Sequence, residues 1–270
     1  MRRAVVVIPA RWASSRFPGK VLATIGGRSL VQRACEIAQT ASCITDFIVA
    51  TDDERVRTHV EKAGFRALMT SADHPSGTDR VAEAARSLEA EIIIGLQADE
   101  PFLLPADIDR LAETLAGDDP PALATLAIPL RQTRDWLDPN VVKVVVDHAG
   151  RALYFSRSPL PYRRKTSGTM ATLPEGPPPP EGQIHVGVYA WQREALLAFA
   201  AMKPSPLEGT EGLEQLRALE AGWAIAVLPA AGTPFGIDTP HDLQRAERWL
   251  ADHTADHHPA RPGVHRTEIS

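Results

Sequence analysis

Ala4-Val5-Val6-Val7-Ile8-Pro9-Ala10-Arg11-Trp12-Ala13-Ser14-Ser15-Arg16-Phe17-Pro18-Gly19-Lys20 holds the strongest architectural signal of this chain. Its first part is an unbroken apolar run, the composition of a short strand buried on both faces. Its second part is a loop carrying Arg11, Arg16 and Lys20 among small residues. Fixed cations and a nest of backbone N–H groups suit a triphosphate. The Walker signature G-x-x-x-x-G-K-[ST] does not occur. Charge alone fits a basic surface loop after an edge strand equally well.

Outward from this stretch, apolar runs alternate with helical patterns. Phe47–Ala50, Arg66–Met69, Ile92–Leu96 and Leu123–Ile128 read as further strands. Leu30, Val31, Ala34, Ile37 and Ala38 recur at helical spacing, as do Val56, Val60 and Ala63, then Val81, Ala84, Ala85 and Leu88. The alternation predicts an α/β fold, a mostly parallel sheet with helices on both faces. Right-handed crossovers bring the loops after the strands to one carboxyl edge, where such folds bind ligands. The basic loop and Gln97-Ala98-Asp99-Glu100-Pro101 therefore face the same crevice. From Val141 the grammar changes: Val141–Val146 and Ala152–Phe155 flank a hairpin turn at 147–150. Residues 161–183 form a loop with a proline run at 177–180, expected as polyproline II. Gln183–Trp191 and Ala224–Leu228 read as strands, Arg193–Met202 and Glu211–Ala221 as helices. Thr239-Pro240-His241-Asp242 opens a last helix to about Leu250. The polar end, with His253, His257, His258 and His265, reads as a loose tail.

The chain has 270 residues, 44% of them hydrophobic, enough for a sizeable core. Its net charge of −5 argues against nucleic-acid binding by a basic surface. Cys35 and Cys43 lack metal-ligand company in the sequence and fit a reducing compartment. The five apolar residues after Met1-Arg2-Arg3 are too few for a signal-peptide core. No run approaches the roughly 20 residues of a membrane span. A cytoplasmic enzyme without membrane association is the expectation.

Asp99 and Glu100 directly follow a strand, where a carboxylate can hold Mg²⁺ against phosphate oxygens. Asp238 lies at another strand-to-helix turn, as a second metal ligand or a helix cap. Ser76, Gly77 and Thr78 can offer polar groups to a base edge, or Thr78 can cap the helix begun by Asp79 and Arg80. Arg157 ends a strand, its planar fork matched to a substrate carboxylate. His185 alternates with apolar residues and reads as a satisfied strand histidine. Glu211, Glu214, Gln215 and Arg217 read as a solvated helix face.

The segments IPARWASSRFPGK, SADHPSGTDRVAE, LQADEP, NVVKVVVD, ALYFSRSPLP, HVGVYAW, SPLEGTEGLEQLR and GIDTPHDL occur in this order from residue 8 to residue 243. The series resembles the 3-deoxy-manno-octulosonate (Kdo) cytidylyltransferase family. The resemblance implies a Rossmann-like nucleotidyltransferase fold with a smaller mixed α/β portion. One domain over 1–250 is implied, its acceptor and dimerisation portion at about 131–222, with a disordered tail over 251–270. It further implies a homodimer that joins CTP to Kdo, giving CMP-Kdo and pyrophosphate. Ala10, Arg11, Arg16, Lys20, Ser76, Gly77, Thr78, Arg80 and Gln97 are then the nucleotide side, with Arg11 and Lys20 on the phosphates. Asp99 and Asp238 are the Mg²⁺ ligands, and Gln97, Arg157, His185, Tyr189, Glu211 and Gln215 contact the sugar acid. Arg11, Lys20, Asp99 and Asp238 carry the catalysis.

The chain departs from the family pattern at specific places. Ala98 replaces the glycine of QGDEP, Ile184 replaces an arginine, and Gly209-Thr210 replace a larger residue after SPLE. A methyl at position 98 is harmless at negative φ and crowding at positive φ. Residues 163–183 do not match. Most departures fall in the acceptor half, which leaves a modified or related 2-ulosonic acid as the alternative substrate.

Overall fold

The computed structural model describes residues 2–13, 17–163 and 177–252. Arg16, the 164–176 part of the proline-rich segment and the histidine-bearing tail lie outside the described residues. The strands are β1 (Ala4–Pro9), β2 (Thr24–Ile25), β3 (Arg28–Ser29), β4 (Asp46–Thr51), β5 (Ala67–Met69), β6 (Ile92–Gly95), β7 (Leu123–Pro129), β8 (Lys143–Val146), β9 (Ala152–Ser156), β10 (Gln183–Gln192) and β11 (Ile225–Pro229). The helices are α1 (Leu30–Thr40), α2 (Glu54–Lys62), α3 (Gly77–Arg86), α4 (Pro105–Ala116), α5 (Thr133–Leu137), α6 (Arg193–Ala201), α7 (Pro206–Glu211), α8 (Gln215–Glu220) and α9 (Pro240–Asp252).

The main sheet runs in the order β11-β7-β10-β6-β1-β4-β5. Only β10 is antiparallel to its neighbours in this row, pairing β6 on one side and β7 on the other. Side-chain alternation along β1 explains the two-sided core. Val6 and Ile8 join a cluster with Val31 and Ala34 of α1, Val56 of α2 and Leu111 of α4. Val5 and Val7 join the opposite cluster, with Val81 of α3, Phe199 of α6 and Leu216 of α8. A strand buried on both faces has no polar side, hence its unbroken apolar run.

The fold differs from the sequence expectation in four places. The helix expected over Glu211–Ala221 is two short helices, because Gly212 caps α7 at φ 62° and turns the chain before α8. The polar groups expected on a solvated face are accordingly inside: Gln215 and Arg217 are buried, Glu211 and Glu214 half-buried. The proline run does not stay extended to its end, since Gly182 N–H donates to Pro179 O at 3.0 Å. Helix α4 was not anticipated at all, although Pro105 at its first turn marks its start.

No helix among the described residues is long and apolar enough to cross a membrane.

Candidate active site

The basic loop leaves β1 and doubles back. Gly19 N–H donates to Trp12 O at 3.1 Å, and Gly19 takes φ 69°. A Cβ at Gly19 would stand 3.0 Å from the Trp12 ring, so both the conformation and the close approach require glycine there. Arg55 covers the same indole, its Cζ 3.6 Å from the ring centroid. Packed this way, the loop starts a 3-10 turn at Lys20 and aims its side chain across the carboxyl edge of the sheet.

There Lys20 Nζ donates to Asp99 Oδ2 at 2.6 Å and to Asp238 Oδ1 at 3.0 Å. Burial alone lowers the lysine pKa, but the paired carboxylates of Asp99 and Asp238 leave it above its ordinary value. Asp238 is not the cap of α9. That task falls to Thr239, whose Oγ1 accepts from Asp242 N–H at 3.2 Å, while Asp242 accepts from Thr239 N–H at 3.0 Å. Asp99 O accepts from Ile237 N–H at 2.9 Å, tying the two acidic loops together. Phe102 stacks on Phe235 behind them, centroids 4.6 Å apart.

Glu100 turns inward. Burial, reinforced by Asp99 and Asp238, raises its carboxyl pKa to about 8. Its Oε2 has no hydrogen-bond partner among the described residues. Gly187 and Gly236 make room for it: a Cβ on either would lie 3.4 or 3.3 Å from Glu100 Oε1.

A cleft of about 100 Å³ opens beside this cluster, lined by Arg11, Lys20, Gly77, Arg80, Gln97 and Asp99 among others. Arg11 is exposed and forms no ion pair among the described residues. Ala98 also lines the cleft, yet its methyl is buried in the cluster that holds Leu96 and Leu103. The Ala98 methyl is thus taken up by the core. Ala10 stands back, its N–H donating to Ala50 O at 2.8 Å and its carbonyl accepting from Thr51 Oγ1 at 2.6 Å.

The N-terminus of α3 forms the opposite wall. Ser76, not Thr78, is the cap: its Oγ accepts from Asp79 N–H at 3.1 Å. Gly77 lies so close to Gln97 that a Cβ would stand 3.1 Å from Gln97 Oε1. Thr78 donates its hydroxyl to Glu214 instead. Arg80 is buried and donates to Asp52 Oδ2 at 2.9 Å and Thr70 Oγ1 at 2.5 Å. Asp52 Oδ1 in turn accepts from Trp12 N–H at 3.4 Å, a link back to the basic loop that gave no signal in the sequence.

The residues expected on the acceptor side fall into two groups. His185 and Tyr189 stand on β10 with ring centroids 5.3 Å apart, flanking the bulge between Val186 and Tyr189. Thr125 Oγ1 lies 2.7 Å from Val188 O and 2.9 Å from His185 Nε2. Burial pushes the His185 pKa down to about 3. The second group is Arg157 and Glu211. Glu211 accepts from Ser156 Oγ at 2.6 Å and Arg157 N–H at 2.9 Å. The Arg157 guanidinium donates to carbonyls of Glu211 (2.7 Å) and Pro139 (2.9 Å), which fixes its plane. Gln215 starts α8, buried next to Glu214.

Lys143 was missed by the sequence reading. It is fully buried on β8 and donates to the carbonyls of Asp138 (2.8 Å), Val141 (2.6 Å) and Arg157 (2.7 Å). Burial pushes its pKa down to about 8, although three acceptors call for all three ammonium hydrogens. A single charge inside Val141–Val146 was the available signal.

A mostly parallel sheet thus carries a lysine between two aspartates at its carboxyl edge, beside a cleft with a basic loop, an arrangement that suits an anionic ligand. The cytidylyltransferase family model matches residues 5–225. Over 247 residues the chain is 46% identical to 3-deoxy-manno-octulosonate cytidylyltransferase of Solibacter usitatus, covering 92% of this chain and 94% of that protein. It is 46% identical over 253 residues to the enzyme of the same name from Geobacter metallireducens, covering 92% and 98%. The solved structure of CMP:2-keto-3-deoxy-manno-octonic acid synthetase complexed with CTP superposes with a TM-score of 0.83 at 39% identity, covering 93% of this chain and 99% of that one. The chain belongs to the 3-deoxy-manno-octulosonate cytidylyltransferase family.

Proposed function

We propose that this protein transfers CMP from CTP to the anomeric hydroxyl of Kdo. The anomeric oxygen forms a bond to the α-phosphorus, the bond from that phosphorus to the bridging oxygen breaks, and pyrophosphate leaves as the hydroxyl proton is lost to solvent. The observation that carries this reading is the clasp of Lys20 by Asp99 and Asp238 at the mouth of the cleft. Arg11 and Lys20 neutralise the leaving pyrophosphate, where negative charge accumulates. Gly77, Arg80 and Gln97, with the capped turn of Ser76 and Thr78, enclose the nucleoside, and Ala10 and Arg16 belong to the same side. His185, Tyr189, Arg157, Glu211 and Gln215 orient the sugar acid, with His185 neutral.

Asp99 and Asp238 fit Mg²⁺: their hard oxygen donors already converge on one cation, the Lys20 ammonium. Bound there, Mg²⁺ would neutralise phosphate oxygens and brace the triphosphate for in-line attack. Cytoplasmic residence is part of the same proposal, supported by the use of CTP, an intracellular nucleotide. A homodimer through the 131–222 portion is supported by β9, an edge strand with Leu153 61% exposed.

Pyrophosphate release from CTP, measured with and without Kdo, tests the reading. Kdo-dependent release is expected; release with another 2-ulosonic acid in preference to Kdo would move the substrate assignment. Light scattering on the purified protein tests the dimer.

A further inference from the structure

We infer that Trp249 is a positioning residue: by bracing Phe102 and Phe235, it holds the loops of Asp99 and Asp238 at the spacing that lets both carboxylates reach one cation. The functional consequence rests on the Mg²⁺ reading above. The two loops leave β6 and β11, which stand apart in the sheet with β10 and β7 between them, so no ladder bond joins their ends directly. The carboxylate side chains are also partly open to water, 31% exposed at Asp99 and 55% at Asp238. Burial of the aspartates themselves therefore does not set the distance between them.

A cluster of three rings spans the gap. Phe102, shortly after Asp99, stacks on Phe235, shortly before Asp238, with centroids 4.6 Å apart. Trp249 of α9 meets both rings edge to face, its centroid 4.6 Å from Phe102 at 61° and 6.2 Å from Phe235 at 77°. Arg245, one turn earlier, covers Phe235 with its Cζ 4.3 Å from the ring centroid. Helix α9 is itself pinned along its length. In its first turn Asp242 accepts from Asp238 N–H at 3.2 Å. Further on, Ala246 is buried with Ile25 and Ile237, Glu247 accepts from Gly26 N–H at 3.2 Å, and Leu250 fills the space that a Cβ on Gly26 would take. Gly26 lies between β2 and β3, in the hairpin that follows the turn of Lys20. One helix thus ties together the segments that carry Lys20, Asp99 and Asp238.

Groups packed behind a metal ligand fix its orientation, and loosening them lowers metal affinity. Trp249→Ala is expected to weaken binding of Mn²⁺, used in place of Mg²⁺, about tenfold in the ligand-free protein. Ile237 N–H bridges the two loops by donating to Asp99 O at 2.9 Å, and its exchange with deuterium is expected to become about tenfold faster. Trp249→Phe, which keeps a ring against Phe102, is expected within about threefold of wild type in both readings. Phe65→Ala serves as the control. It removes a half-buried ring that pairs with Phe47, centroids 5.9 Å apart, at the β4–β5 end of the sheet, and should change neither reading.

Electron paramagnetic resonance of free Mn²⁺ and amide exchange followed by NMR make both measurements without turnover. If wild type binds no Mn²⁺, the metal reading falls, and exchange at Ile237 still tests the bracing. A natively folded Trp249→Ala protein with wild-type exchange at Ile237 overturns the inference. So does unchanged Mn²⁺ affinity in that variant where wild type binds the ion, or a Phe variant as impaired as Ala. An equal rise in exchange at Ile237 in Phe65→Ala also overturns it, since that would be general destabilisation. Should Trp249→Ala not fold, Trp249→Leu, apolar but without a ring, takes its place under the same expectations.

Discussion

Lys20 Nζ lies 2.6 Å from Asp99 Oδ2, across 79 residues of sequence, and this ion pair joins the basic loop of β1 to the acidic loop of β6. In the proposed function it keeps the lysine assigned to the phosphates and the carboxylate assigned to Mg²⁺ in register before any ligand arrives. Preorganised charge of this kind needs little rearrangement during reaction.

Removing either partner is therefore expected to be severe. Asp99→Asn and Lys20→Met should each lower kcat/KM for pyrophosphate release about 10²- to 10³-fold. The lysine pKa is raised, so the charge on Lys20 is fully present below its ordinary value of 10.5 and is lost as pH rises through the higher folded value. A pH–rate profile should accordingly show no loss assignable to Lys20 between pH 7 and 9.

His185 gives a pH dependence of opposite character. Its folded pKa of about 3 lies below the ordinary 6.5, so the unfolded chain binds the proton first as pH falls. Stability is unaffected above pH 6.5 and decreases from there toward pH 3, by at most about 1.4 kcal/mol per pH unit from this group. Urea unfolding of wild type and His185→Gln between pH 4.5 and 7 checks it: the wild-type curve should fall more steeply. Equal slopes would show that His185 is not held neutral.

Lys143→Met removes three hydrogen bonds at once and leaves the carbonyls of Asp138, Val141 and Arg157 without that donor. A loss of about 2–4 kcal/mol in unfolding free energy is expected. Since one of those carbonyls belongs to Arg157, KM for the sugar acid should rise more than KM for CTP. A variant with both KM values equally raised would disconnect Lys143 from the acceptor side.

Two glycines three residues apart should respond in opposite directions. Gly209 lies within α7 and a Cβ there would meet nothing within 4 Å, so Gly209→Ala should stabilise by up to about 1 kcal/mol. Gly212 sits at φ 62°, and Gly212→Ala should destabilise by about 1–2 kcal/mol. Thermal unfolding of both variants suffices.

Much of this was legible from local pattern. The runs around Val6, Val49 and Ile94 became strands of one sheet, and the helical spacing through Val31, Val56 and Val81 became helices on its two faces. Lys20, Asp99 and Asp238 could be singled out because strand ends in such folds gather at one edge. Glu214 could not, since a polar residue at helical spacing looks the same whether it faces water or a buried threonine. Lys143 inside a valine run was visible but pointed to nothing without its three carbonyls. Asp52 was silent for the same reason.

The sequence by itself determined the alternation of strands and helices, the basic loop, the acidic strand ends and the family, because these are written in neighbours within a few residues and in motif order. Tertiary structure alone decided that β10 enters antiparallel between β6 and β7, that Gly212 splits one expected helix into two, that Thr239 caps α9 while Asp238 turns to Lys20, and that Glu214 reaches Thr78. Each of these depends on which distant groups meet and on which of them lose water when they do, and such pairings leave no periodic trace along the chain.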